Sequence, residues 1–205
     1  MNILLLTQFL DPSRGGGEFI FYQLAHELAR RGHQVSVIKY RVKGLKLESR
    51  VRGLTIYEVN PALELKGGRP ATLKQQFQYL INTVILGLRV IKRSKVEVIH
   101  ANAYIPIYAG WILSILTRKP LIATIHDPAL SLKFWRLWFS QLNGSMIKAL
   151  TSTIAALLAI RIPGIIIHTV SKAVKEELVK AGAKNVYVIP NGIDLNLYQP
   201  YNELR

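Results

Sequence analysis

Along the 205-residue chain, short continuous apolar runs alternate with longer stretches in which apolar residues recur every three or four positions. Residues 2–9 (NILLLTQF) read as a first strand. The stretch 18–32 (EFIFYQLAHELARRG) repeats apolar residues at Ile20, Leu24, Ala25 and Leu28 and stops at Gly32, which predicts a helix. Strands are expected over 34–40, 54–60, 96–102, 120–127, 164–171 and 186–190. Helices are expected over 71–93, 105–116 and 172–182, with a further helical stretch from about 132 to 161 that breaks near Asn143-Gly144-Ser145. Apolar strands alternating with helices predict a doubly wound α/β domain, a mainly parallel, Rossmann-like sheet covered on both faces. Residues 41–52, with Arg41, Lys43, Lys46, Arg50 and Arg52, read as a mobile basic connection.

Ligands of such sheets bind beyond the carboxyl ends of the strands. Five of those ends carry polar, Gly- or Pro-containing junctions: FLDPSRGGGE, HANAY, TIHDP, TVSK and IPNGID. In the first, Gly15, Gly16 and Gly17 follow a strand and open a helix. Bare backbone N–H groups and the positive end of a helix dipole then make an anion site, with phosphate or pyrophosphate as the guest; a flexible turn is the alternative. The dinucleotide fingerprint is incomplete. Its third glycine position is Ile20, and the second strand ends in the basic IKYRVK where an acid should meet a ribose. No G-x-x-x-x-G-K-[ST] occurs, so this is not a P-loop.

Composition narrows the field. A net charge of +15 and a pI near 10.2 call for an anionic partner. Between Asp127 and Glu176 there is no acid, while six Lys and Arg residues fall inside. No zinc-finger, helix-turn-helix or RNA-binding signature accompanies the charge, so no nucleic-acid partner is expected. With no cysteine, disulfides, thiolate metal sites and thiol nucleophiles are excluded. The N-terminus reads as a strand and not as a signal peptide. Residues 146–160 (MIKALTSTIAALLAI) are too short for a membrane span and are expected to form a buried helix. Within SLKFWRLWFSQLN, Trp135, Trp138, Phe139 and Leu142 share one helical face, with Lys133, Arg136 and Ser140 on another. That is either a helix packed into its own domain or one lying on an anionic membrane.

Taken in order, GGGE, LARRGHQVSVI, VIHAN, TIHD, HTVSKAVKEEL and VYVIPNGIDLNLYQP resemble the N-terminal half of a GT-B glycosyltransferase of the retaining, nucleotide-sugar-dependent family 4. PNGID is the most specific element and pulls toward the retaining branch, with inverting GT-B relatives as the alternative. The resemblance implies a Rossmann-like acceptor-side domain over 1–190, the start of an interdomain linker over 191–205, and a C-terminal donor domain that is absent here. It implies a nucleotide-diphosphate sugar as donor, a sugar or lipid-linked acceptor, no tightly bound cofactor and no required metal. Gly15, Gly16 and Gly17 would lie beside the donor diphosphate and the acceptor. His126 would be the catalytic-cleft histidine near the transferred sugar, acting by positioning and not as a nucleophile. Asn102, Tyr104, Asp127 and Asn191 are candidates for the acceptor or the cleft, Asp127 more simply as a helix cap. Lys133, Trp135, Arg136, Trp138 and Phe139 are candidate membrane contacts. His26, His33, His100 and His168 show no metal-ligand spacing and read as structural. The expected setting is cytoplasmic, peripheral on the inner face of the cell membrane, with the chain inactive on its own. A stand-alone nucleotide- or phosphate-binding module without catalysis is the alternative.

Overall fold

The structure is a computed structural model that describes residues 1–13, 16–44, 51–64, 71–127, 130–140 and 146–193, without the side chains of Trp138 and Phe139. Its strands are β1 (Asn2–Leu6), β2 (Gln34–Val42), β3 (Leu54–Leu63), β4 (Val98–Asn102), β5 (Leu121–Ile125), β6 (Ile166–Thr169) and β7 (Val186–Val188). Its helices are α1 (Gly16–Arg30), α2 (Leu73–Ser94), α3 (Tyr104–Thr117), α4 (Leu132–Ser140), α5 (Met146–Ala159) and α6 (Lys172–Lys180). All the expected elements are present. The strands pair in parallel, in the order β3-β2-β1-β4-β5-β6-β7.

That order determines which face each helix covers. Parallel crossovers are right-handed, and the chain leaves β1 toward β2 but later moves from β3 back across to β7. Helix α1 therefore lies alone on one face, where Phe21, Ala25 and Ala29 pack on Ile3, Leu5, Val35 and Val37. On the other face α2, α3, α5 and α6 form a layer, burying Tyr79, Val90, Ile107, Leu113, Ala159 and Leu178 against Leu4, Leu6, Ile38, Ile99 and Ile167. The direction in which successive strands are added reverses between β1 and β4, so the sheet's ligand crevice opens at their carboxyl ends.

Local chemistry holds the elements in place. Thr72 caps α2, accepting from the Gln75 backbone while the Gln75 side chain accepts from the Thr72 N–H. The hydroxyls of Tyr40 and Tyr79 donate to the carbonyls of Gln75 and Thr7, tying α2 to the sheet. Helices α2 and α3 touch at Gly87, where a Cβ would stand 2.6 Å from Leu113 Cδ1. Pro61 sits in β3, an edge strand, where its missing N–H is tolerated.

Two expectations change. Arg41 and Val42 extend β2, so the 41–52 connection is shorter than its charge pattern implied; residues 45–50 lie outside the described residues. The basic end of β2 is also partly neutralised, since buried Lys39 contacts Glu58 at 2.6 Å and Arg41 lies 3.7 Å from the same carboxylate. The second change is at 146–160, which forms α5 but as a surface helix. It buries Ala149, Thr153 and Ala156 and leaves Ile147 70% and Leu158 56% exposed.

Candidate functional site

At the carboxyl end of β1, Thr7 is buried and its hydroxyl donates to the Phe9 carbonyl. Across the switch point, at the end of β4, the Asn102 side-chain N–H reaches Thr7 Oγ1 at 3.4 Å. Asn102 Oδ1 is buried without a hydrogen-bond partner among the described residues. Asn102 is in register with Thr124 on β5, and His126 follows two residues later, so all three side chains project to the α1 face.

His126 is where β5 meets α1. Its ring packs on Gly17 so closely that a Cβ there would stand 3.2 Å from His126 Cδ2. Helix α1 begins at Gly16, so this contact sits in its first turn, where backbone N–H groups lack intrahelical acceptors. His126 Nε2 is buried and has no hydrogen-bond partner among the described residues. Burial pushes the His126 pKa down, nearby Asp127 pulls it up, and His168 pushes it down; the net direction is down, so the neutral ring is favoured. Glu18 falls in the first turn of α1, where its charge suits the dipole.

Behind the crevice runs a polar chain that sequence reasoning missed. Ile189 O accepts from His168 Nε2 at 2.9 Å, which leaves His168 Nδ1 to accept from Thr124 Oγ1 at 2.9 Å. Thr124 Oγ1 in turn accepts from His100 Nε2 at 2.7 Å. The His100 ring stands edge-on to Phe21 of α1, with centroids 5.1 Å apart. Burial, then His168 and His126, push the His100 pKa down to about 3. His100 and His168 are therefore structural, as expected, but linked to each other through Thr124. The available signal was polar residues on the same face of three apolar strands: His100 and Asn102, Thr124, and His168.

Other candidates divide. Tyr104 opens α3; its hydroxyl reaches the Asp127 carbonyl at 3.4 Å and its ring meets Trp135 edge-on at 6.2 Å. Tyr104, Asp127, His126 and α4 thus gather at one rim of the crevice. Asp127 does not cap α4; Ser131 does, its hydroxyl accepting from the Phe134 N–H. Trp135 is half-buried between Tyr104 and Phe134, whereas Lys133 and Arg136 are exposed. Ser171 caps α6 as expected. Asn191 is exposed beyond β7. Gly15, Leu142, Asp194 and the linker residues 194–205 lie outside the described residues, as do the Trp138 and Phe139 side chains. A groove of about 920 Å³ along Ile122, His168, Tyr187 and Ile189 lies at the β7 edge and includes neither Gly17 nor His126.

Comparison with known proteins agrees with this geometry. The family model for Glycosyltransferase Family 4 matches residues 14–197. No curated protein matches the chain. Sucrose-phosphate synthase from Thermosynechococcus elongatus has a similar structure, with TM-score 0.74 and 16% identity over 98% of this chain and 50% of that one. Anabaena HepE in complex with UDP-glucose aligns with TM-score 0.59 and 21% identity over 98% and 47%. The catalytic domain of starch synthase IV from Arabidopsis thaliana, bound to ADP and acarbose, aligns with TM-score 0.57 and 14% identity over 99% and 54%. The chain spans about half the length of each.

Proposed function

The chain belongs to Glycosyltransferase Family 4, and on that premise we propose that it is the acceptor-side half of a retaining enzyme that transfers a sugar from a nucleoside diphosphate. Its fold is the Rossmann-like N-terminal half of the GT-B architecture. One observation carries the reading. A neutral histidine with a free ring nitrogen is packed against the glycine-started N-terminus of α1, at the crevice of a doubly wound sheet. The presence of UDP-glucose on HepE and of ADP on starch synthase IV supports a nucleotide-sugar donor.

In this reading the C-terminal half holds the nucleotide, and the sugar–diphosphate linkage lies across the crevice. The bond from the anomeric carbon to the diphosphate oxygen breaks as the acceptor oxygen bonds on the same side. The acceptor's proton passes to the departing diphosphate. The α1 backbone donors stabilise the charge that develops there. His126 Nε2 and Asn102 Oδ1, both without partners among the described residues, take hydroxyls of the sugar or acceptor and hold them in line. No side chain of this half is a nucleophile and no metal is called for. The half alone does not turn over. The acceptor is a sugar or a lipid-linked sugar, and exposed Lys133 and Arg136 of α4 attach the enzyme peripherally to the cytoplasmic membrane face.

The test is nucleoside-diphosphate release by the full-length protein from UDP-, ADP- and GDP-sugars with acceptor present. Transfer is expected with one of them, and His126→Ala is expected to lower kcat/KM roughly a hundredfold. Gly17→Ala should lower kcat, because its Cβ displaces the ring, while leaving the fold intact. No transfer from any donor, with tight phosphate binding by residues 1–205 alone, would overturn the reading in favour of a binding module.

A further inference from the structure

Helix α2 is apolar on two opposite sides. Tyr79, Thr83, Gly87 and Val90 form its buried stripe, at spacings of four, four and three. Phe77, Ile81, Ile85 and Leu88 repeat the same spacing two residues earlier, about 200° round the helix, and are exposed. Phe77 is 63% exposed. Helix α5 does the same: Ala149, Thr153 and Ala156 face inward, while Ile147, Leu150, Ile154 and Leu158 face outward. Between them α3 leaves Ile115 and Leu116 each 60% exposed. Large apolar side chains left exposed in a row along a helix ordinarily mark a surface that something covers. Since α3 packs against both α2 and α5, the three exposed sets lie on adjacent helices of one layer.

Charge identifies what covers it. Helices α2, α3, α4 and α5 contain no Asp or Glu, whereas Lys74, Arg89, Lys92, Arg93 and Lys148 belong to α2 and α5. Lys74 and Lys92 stand near the two ends of the α2 stripe. A second copy of so basic a face would repel the first. An apolar stripe with cations around it fits the headgroup boundary of an anionic bilayer, apolar side chains among the acyl chains and ammonium groups at the phosphates. Among the described residues no helix is long and apolar enough to cross a membrane.

We propose that the outer face of α2, α3 and α5 is a docking surface for an anionic lipid bilayer. The proposal deepens the membrane part of the functional reading by moving the contact from α4 to the helix layer, and it does not require that sugar transfer be correct. Lying flat on this layer, the domain keeps its crevice at the edge of the bilayer, within reach of an acceptor anchored there.

The test is co-sedimentation of the full-length protein with phosphatidylcholine vesicles, with and without about 30% phosphatidylglycerol, at low and high salt. Binding is expected only to the anionic vesicles and to weaken with salt. The exposed pairs Phe77→Gln/Ile81→Gln on α2 and Ile154→Gln/Leu158→Gln on α5 should each weaken it at least roughly tenfold, with an unchanged thermal melt. Lys133→Gln/Arg136→Gln on α4 should weaken it less. Four results would overturn the proposal: no vesicle binding, equal binding to neutral vesicles, stripe variants that bind like the parent, or a parent dimer that the stripe variants dissolve. Sugar transfer by the same variants, with soluble acceptor, reports on the functional reading separately.

Discussion

The two faces of the sheet are built from the same strands and do different work. The face under α2, α3, α5 and α6 is a closed apolar layer from Leu4 to Val186. The face under α1 has its apolar cluster mainly over β1, β2 and β3; across β4, β5 and β6 it also carries His100, Asn102, Thr124, His126 and His168. Stability resides mainly on the first face, and the chemistry on the second. The reason is topological. The β1-to-β2 and β2-to-β3 connections run toward the β3 edge, only the first of them through a helix among the described residues, and the later crossovers go toward β7. A single helix, α1, therefore covers half of one face and its N-terminus opens onto the uncovered half.

If that division is right, the largest loss should come from truncating the closed face. Leu113 is fully buried between α2 and the sheet. Leu113→Ala should cost about 3 kcal/mol, from lost transfer energy and the cavity left behind. Ile122 lies on the open face and is only partly buried, so Ile122→Ala should cost about 1 kcal/mol. Urea midpoints measure both. Equal losses would break the comparison.

A smaller effect should come from the polar chain. Thr124→Val keeps the shape but removes the hydroxyl that joins His100 to His168. Two ring nitrogens of half-buried histidines then lose their partner, at a cost of about 2 kcal/mol. In the parent, ¹⁵N spectra should show His168 protonated on Nε2, because that nitrogen faces the Ile189 carbonyl. A mixture of tautomers, or no change in stability, would mean that the chain does not hold the rings.

Much of this was readable beforehand. Continuous apolar runs located the strands and three- and four-residue apolar spacings located the helices, because strands buried on both faces are apolar throughout and half-buried helices repeat with the helical period. The junctions that gather at the crevice were readable for the same reason, since a doubly wound sheet brings strand ends together. What could not be read depends on register and on partners. His100, Thr124 and His168 become neighbours only when β4, β5 and β6 align as they do. The contact of Gly17 with His126 needs the angle at which α1 leaves β1. Ser131 took the capping role expected of Asp127 because α4 starts five residues after Asp127. In α5, composition pointed to burial, but the helix packs against α3 and α4 and leaves Ile147, Leu150, Ile154 and Leu158 exposed; sequence reports that a side is apolar, not what covers it.

Acidification gives the mildest and most selective separation of the two faces. On the closed face the buried ionisable side chains are phenols, Tyr40 and Tyr79, whose pKa values burial raises, so they stay neutral in acid. On the open face His100 is held down to about 3 from the ordinary 6.5, and His126 is also lowered. Above pH 6.5 both histidines are neutral whether the chain is folded or not, and they contribute no pH dependence. Below it the unfolded chain takes up protons that the folded chain refuses, so stability falls as pH drops toward the folded values. Each such histidine should contribute a slope of at most about 1.4 kcal/mol per pH unit. His100→Gln removes one of the two titrations, so its stability should decline less steeply than the parent's between pH 6 and about 4, whatever its value at neutral pH. Parallel declines would mean that His100 takes up its proton in the folded state as readily as in the unfolded one. The open face would then admit water down to β4, and the polar chain would be a solvated surface instead of the buried support of the crevice.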